Sequence, residues 1–474
     1  MIRNERQYRI TKSQVEEFEQ KLHALEEQPA IPGVHPRIRQ AQRDAIRSQV
    51  DELREQLAGY EALQAGRSKV LELSSLDEFP AALIQARIAA GLTQRQLADR
   101  LGMKEQQLQR YEATEYAGAS LERIREVVAA LGVKVREDVF LPSADVSKDR
   151  VLRRAAGAGL SKEFVSKRIL PREGEESVAA LGAARLLNRI FGWAPAALFG
   201  DAPLALAGAA LAGARFKLPA NAAARATEAY ASYAYYVAGL MLRATPTITS
   251  SAPIPTDAGE FRRALLGKGG LTLSTALDCV WSLGIPVLPL SDAGAFHGAT
   301  WRIDGRNVIV LKQSTRLESR WLHDLLHEVR HAAEDPEADR LAFIDYEVLA
   351  KANGGSPAEA IASMFAGDVL LDGRAEELAE MCADEAKESI ERLKGVVPKV
   401  ASREGVPVGA LANYMAFRLS LQGESWWGAA ANLQTGGADP WVMSRDRALA
   451  HLDLTLLDDA ERTVLLGALE GDAS

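Results

Sequence analysis

Only two cysteines, Cys279 and Cys382, occur in 474 residues, which excludes a disulfide framework and a thiolate zinc site. Histidine is scarce as well, at seven. Aromatic residues make up 6% of the chain and alanine is abundant, a balance that leans towards helix. No apolar run is long enough to cross a bilayer; the uncharged stretches Ala202 to Ala214 and Ala229 to Leu242 both fall short. The opening residues Met1-Ile2-Arg3-Asn4-Glu5-Arg6 lack the apolar segment of a secretory signal. An excess of positive charge is missing too. The 56 Lys and Arg against 64 Asp and Glu leave a net charge of −8, which argues against nonspecific coating of nucleic acid but allows a local basic surface. These absences lead us to expect a soluble, cytoplasmic protein with no membrane partner.

What is present divides into five segments, read as a mainly α chain with one small α+β region. Residues 1–75 contain Leu22, Leu25, Val50, Leu53 and Leu57 at helical spacing among charges, around a Pro-rich break from Pro29 to Pro36. They read as two amphipathic helices, paired as a hairpin or between chains. Residues 76–140 form a compact four-helix unit. Residues 141–244 are Ala-rich helix, residues 245–425 mix short strands with helices, and residues 426–474 read as a loop-rich tail ending in a helix over Asp458 to Leu469. In the fourth segment Ile285 to Leu290, Gly298 to Ile303 and Asn307 to Leu311 have strand character. The last two are joined by Asp304-Gly305-Arg306, a hairpin signal. From the helix that follows to about residue 422 the pattern is mostly helical.

The four-helix unit carries chemistry in its third helix. Thr93 caps a helix over Gln94 to Leu101, a turn follows at Gly102, and a third helix runs from Lys104 to Ala113. Gln106, Gln107, Gln109 and Arg110 are amide and guanidinium side chains able to read base edges, and Thr93, Gln94 and Lys104 are placed to meet phosphates. The run Gly91-Leu92-Thr93-Gln94-Arg95-Gln96-Leu97-Ala98-Asp99-Arg100-Leu101-Gly102 with Gln106 to Glu112 resembles the XRE-type helix-turn-helix of phage repressors, a lambda-repressor-like fold. That resemblance implies operator DNA as partner, with the third helix in the major groove. Eight Lys and Arg against six Asp and Glu over residues 79–135 are a weak electrostatic bias, so affinity would draw on a homodimer. Asn4 to Lys12 and Gln106 to Tyr116 together resemble HigA-like antitoxins.

The second chemical signal is His327-Glu328-Val329-Arg330-His331. On a helix, HExxH brings both imidazoles to one face, where they can share one Zn²⁺, and places the glutamate to deprotonate an activated water. A helix-turn-helix followed by strands and HExxH resembles the ImmA/IrrE family of zinc metallopeptidases, whose domain is gluzincin-like and whose substrates are helix-turn-helix repressors. The resemblance covers roughly residues 225 to 420. It implies His327 and His331 as zinc ligands, Glu328 as general base and Glu359, in the run Glu359 to Leu371, as third ligand; Glu337 and Glu347 are alternatives. Three positions depart from the family pattern: Arg330 is large where a small residue is usual, Ile361 stands where many members have glutamate, and the run after Val369 ends Leu370-Leu371-Asp372 without the proline the family often shows. Arg330 is expected to project away from the metal and His323, one turn before His327, to lie outside the ligand set.

Three functions fit these residues. One is a DNA-binding transcriptional regulator with a zinc-dependent endopeptidase domain that cleaves a repressor or antitoxin. Another is an antitoxin-like transcription factor whose metal domain is a sensor or inactive scaffold. The third is a repressor in which a pocket near the sheet binds an effector.

Overall fold

A computed structural model of the chain describes every residue except 1, 28–35, 67–69, 72, 74–75, 136–139, 142–143, 172–174, 207–221, 250–251, 293–295, 314, 345–356, 435 and 472–474. The chain forms two compact units, divided between Ser143 and Ala144. It is mostly helical with one small mixed sheet. Among the described residues no helix is long and apolar enough to cross a membrane.

In the first unit, α1 (Glu5–Glu27) and α2 (Pro36–Gln64) pack as a hairpin within one chain, with Arg54 paired to Glu19 at 2.7 Å. Val15 and Val50 are buried on their facing sides. Four shorter helices follow: α3 (Phe79–Ala89), α4 (Gln94–Arg100), α5 (Glu105–Ala113) and α6 (Leu121–Leu131). Their starts are chemical. Thr93 and Gln96 form a reciprocal capping box at α4, and Ser120 accepts from the Arg123 amide at α6. Leu83, Ile84, Leu97, Leu108 and Val127 make the core, joined from the hairpin side by Ile2 and Tyr60.

The second unit opens with α7 (Lys148–Gly157), α8 (Lys162–Arg168), α9 (Glu176–Phe191), α10 (Pro195–Phe199) and α11 (Ala222–Ala244). After α12 (Ala258–Lys268) and α13 (Leu273–Ser282) come β1 (Val287–Pro289), β2 (Gly298–Ile303) and β3 (Arg306–Leu311). The β2–β3 loop is only Asp304 and Gly305, both at positive φ (49° and 77°), as a two-residue hairpin turn matched to strand twist requires. Next come α14 (Glu318–Ala332), β4 (Leu341–Ile344) and α15 (Pro357–Leu371). The sheet order is β1-β3-β2-β4, with β1 parallel to β3 and the other pairs antiparallel. Strand β4 interrupts a stretch expected to be mostly helical; four residues are too few to show a period. Helices α16 (Ala375–Glu385), α17 (Ile390–Glu404) and α18 (Val408–Leu421) follow.

The tail is more helical than expected. It contains α19 (Trp427–Asn432), α20 (Pro440–His451) and α21 (Asp459–Leu469). Asp439 caps α20 and Pro440 occupies its first turn, a start signal present in the sequence. Trp426 is buried and Arg320 lies 3.8 Å over the Trp427 ring, so the pair anchors packing. Arg168 of α8 turns inward, unlike the exposed Lys162 and Lys167: it is buried, bonds Asp292 at 2.7 Å and reaches the Gly467 and Glu470 carbonyls.

Candidate metal centre and nucleic-acid interface

Helix α14 is the axis of the second unit. It packs on β2 and β3 on one side and on α15 on another. From Trp321 to Val329 every residue is buried, so its polar side chains lie in the interior and must find partners there. Trp321, Leu325, Leu326 and Val329 supply the apolar contacts.

Two pairs of residues, each spaced i,i+4, face one another across α14 and α15. His327 and His331 share one face of α14, and Glu359 and Ser363 share one face of α15. His327 Nε2 lies 3.0 Å from His331 Nε2 and 3.0 Å from Glu359 Oε2. His331 Nε2 lies 3.4 Å from Glu359 Oε1. A tetrahedral centre with bonds of about 2.0–2.1 Å would separate its ligand atoms by about 3.3 Å, close to these spacings. Among the described residues this is the group of histidine, cysteine and acid side chains arranged to hold a metal ion. Two imidazoles and a carboxylate suit a first-row transition ion, whereas Mg²⁺ and Ca²⁺ call for oxygen donors. The donors fit.

The surroundings fix the ligand atoms. Ser363 Oγ lies 3.0 Å from His327 Nδ1 and sets which nitrogen faces the cluster. Phe343 of β4 stacks on the His331 ring at 4.2 Å and 14°. The Glu359 side chain keeps 29% of its surface exposed, so the cluster opens to solvent on that side. Burial lowers the pKa of His331. Burial alone would raise Glu359, but hydrogen bonds from His327 and His331 outweigh it and hold the carboxyl well below the usual range.

Glu328, between the two histidines in sequence, meets strand β2. Strand β2 presents alternate residues to α14, and Gly298, Thr300 and Arg302 share that face. A Cβ on Gly298 would collide with Glu328 Oε1, so only glycine leaves room for the carboxylate. The Thr300 hydroxyl donates to Glu328 Oε2 at 2.7 Å. Arg302 clamps the end of the helix: its guanidinium donates to the Ala332, Glu334, Asp335 and Ala338 carbonyls. Such a cation satisfies carbonyls that the helix leaves open and lies at the negative end of its dipole. Sequence reasoning missed Gly298, Thr300, Arg302, Phe343 and Ser363. Only Ser363 left a signal, its i+4 spacing from Glu359.

The other expected positions separate cleanly. Arg330 pairs with Glu334 at 2.6 Å, away from the ligand set. Glu337 is exposed in the turn after α14, Ile361 is exposed on α15, and Glu347 lies outside the described residues. His323 is buried beside Asp324, whose carboxyl burial would raise, but Arg320 and His323 hold it down at about 2.

In the first unit, α5 presents Gln106, Gln107, Gln109 and Arg110 to solvent. Gln107 Oε1 accepts from the Lys104 amide and Gln109 bonds Glu105, whereas Gln106 and Arg110 have no partner among the described residues. Thr93 and Lys104 are exposed at the starts of α4 and α5. Gln94 is turned inward to Glu112 Oε2 at 2.8 Å. Glu112 is buried and paired to Arg87 through two bonds, at 2.6 and 2.9 Å. Arg87 also reaches the Arg3 and Leu92 carbonyls, so one ion pair ties the N-terminus, α3, α4 and α5 together. Residues 83–137, which span this arrangement, match the family model described as Helix-turn-helix. This is an XRE-type helix-turn-helix. The helix-turn-helix marks the chain as a DNA-binding regulator. No curated protein and no solved structure matches the chain.

Proposed function

We propose that the chain is a DNA-bound regulator whose second unit is an ImmA/IrrE-like zinc endopeptidase acting on a helix-turn-helix repressor or antitoxin. The observation that carries this reading is the convergence of His327, His331 and Glu359 beside a buried glutamate that is not one of the ligands. Those three residues would hold Zn²⁺. When bound, the ion polarises a peptide carbonyl and makes water acidic enough to act at neutral pH.

Glu328 is the proton acceptor, and the same carboxyl returns the proton to the leaving amine. Gly298 and Thr300 keep it in place by shape and by one hydrogen bond. On the DNA side, Gln106, Gln107, Gln109 and Arg110 read bases, with Thr93 and Lys104 on phosphates. Gln94 acts through Glu112 instead. In this reading the hairpin of α1 and α2 supplies the surface for homodimerisation.

A second reading, a regulator whose metal site is a sensor or scaffold, draws on the burial of Glu328 and its bond to Thr300. Glu328→Gln separates the two. We expect about one zinc per chain in wild type and variant alike, with cleaved helix-turn-helix proteins lost from the variant's cellular N-terminal proteome. Equal zinc with equal processing would leave only the sensor reading.

A further inference from the structure

A cavity of about 500 Å³ lies between α9, α11 and the β2–β3 turn. It belongs to the opposite side of the sheet from α14. Thr300 and Arg302 face α14, whereas Trp301 between them meets Tyr235 of α11 edge-on at 5.8 Å. The volume falls in the range of small-molecule sites, roughly 300–1,000 Å³. Its walls are apolar: Ile190, Phe191, Leu240, Pro246 and Ile303 line it beside the Tyr235 and Tyr236 rings. Gly239, in the middle of α11, lines it too, and a methyl group there would meet no heavy atom within 4 Å.

Three arginines reach the cavity, and they differ in one respect. Arg189 is paired with Asp458 at 2.8 Å, and Arg243 grips Glu461 through two bonds at 2.6 and 2.9 Å. Arg306 has no carboxylate within ion-pair range among the described residues. Its guanidinium is held by the carbonyls of Leu242, Thr245 and Ile248 at 2.6, 2.7 and 3.1 Å. Carbonyls fix its position but carry no full charge to offset it in a half-buried wall, where an anion gains most; the acid in the lining, Asp304, is exposed and lies 3.9 Å from Arg340. We propose that the cavity binds a small amphipathic organic anion, an acidic head towards Arg306 on an apolar ring-sized body packed against Phe191 and Leu240. This inference is independent of the metal reading.

Two fluorescent probes test it on the full chain: the anion 1-anilinonaphthalene-8-sulfonate and its uncharged relative N-phenyl-1-naphthylamine. Gly239→Leu fills the cavity from a helical position and should weaken both probes at least about tenfold, or 1.4 kcal/mol. Arg306→Gln should weaken the anion about tenfold and leave the neutral probe within about twofold. The bound anion should also be displaced by 4-isopropylbenzoate and not by 4-isopropylbenzyl alcohol, which tests the ligand class even if Arg306→Gln fails to fold. Undiminished binding of both probes to Gly239→Leu would overturn the site. Equal displacement by the acid and the alcohol would overturn the class.

Discussion

Each unit sets a glutamate among nitrogen-bearing side chains, Glu112 fully buried and Glu359 part-exposed, and the two clusters are built differently. Glu112 receives two bonds from Arg87 and one from Gln94, all from groups that only donate. Both carboxylate oxygens of Glu112 accept from such donors, so the anion is satisfied as it stands. Glu359 meets His327 and His331, whose Nε2 atoms are also 3.0 Å from each other. Neutral imidazoles bring lone pairs as well as protons, so several acceptors converge on one point. The first cluster holds helices together; the second has the composition of a ligand shell. Satisfaction distinguishes a structural polar cluster from one composed as a ligand shell.

The sharpest way to break this comparison is Glu112→Ala, which leaves Arg87 buried without its counter-charge. Thermal or denaturant unfolding should show a loss of about 3–5 kcal/mol in the first unit; a loss below about 1 kcal/mol would remove the distinction. Arg110→Ala, two residues earlier on the same helix, should do the opposite. Its side chain is exposed, so stability should shift by no more than about 0.5 kcal/mol, while operator affinity measured by anisotropy should fall by about 1–3 kcal/mol.

In the second unit Ser363→Ala removes the group that orients His327, and zinc affinity from competitive chelation should fall about 10–100-fold. The smallest effect is on pH. His331 has a pKa below its ordinary 6.5, so the unfolded chain takes up a proton first as pH falls. Its contribution to the stability of metal-stripped protein is therefore complete above pH 6.5 and is lost as pH drops towards the folded value. The slope is at most about 1.4 kcal/mol per pH unit. Glu359, also depressed, adds a second decline below its ordinary 4.5. Unfolding curves of His331→Ala should lack the upper stage and keep a lower one.

Much of the helix-turn-helix was legible because its signals are local. Thr93 and Ser120 start helices through bonds to amides three residues on, and the observed ends of α4 and α5 fall within one residue of expectation. The hairpin at Asp304-Gly305 was legible for the same reason. Strand β4 was not, since Leu341 to Ile344 joins the sheet through β2 residues some forty positions earlier. The inward turn of Arg168 was hidden too: its partner Asp292 and the carbonyls of α21 come from distant segments. Gln94 looked like a phosphate contact because nothing near it in sequence announces a buried carboxylate eighteen residues on.

The sequence by itself determined the pairing of His327 with His331, because 3.6 residues per turn brings positions i and i+4 to one face wherever the helix lies. It also determined the helix-turn-helix, whose caps and apolar spacing are written within a few turns. Only the tertiary structure brought Glu359, and not Glu337, to the two histidines, placed Ser363 behind His327 and set Gly298 and Thr300 against Glu328. Those choices depend on how α14 packs between the sheet and α15, a contact between segments that no local period encodes.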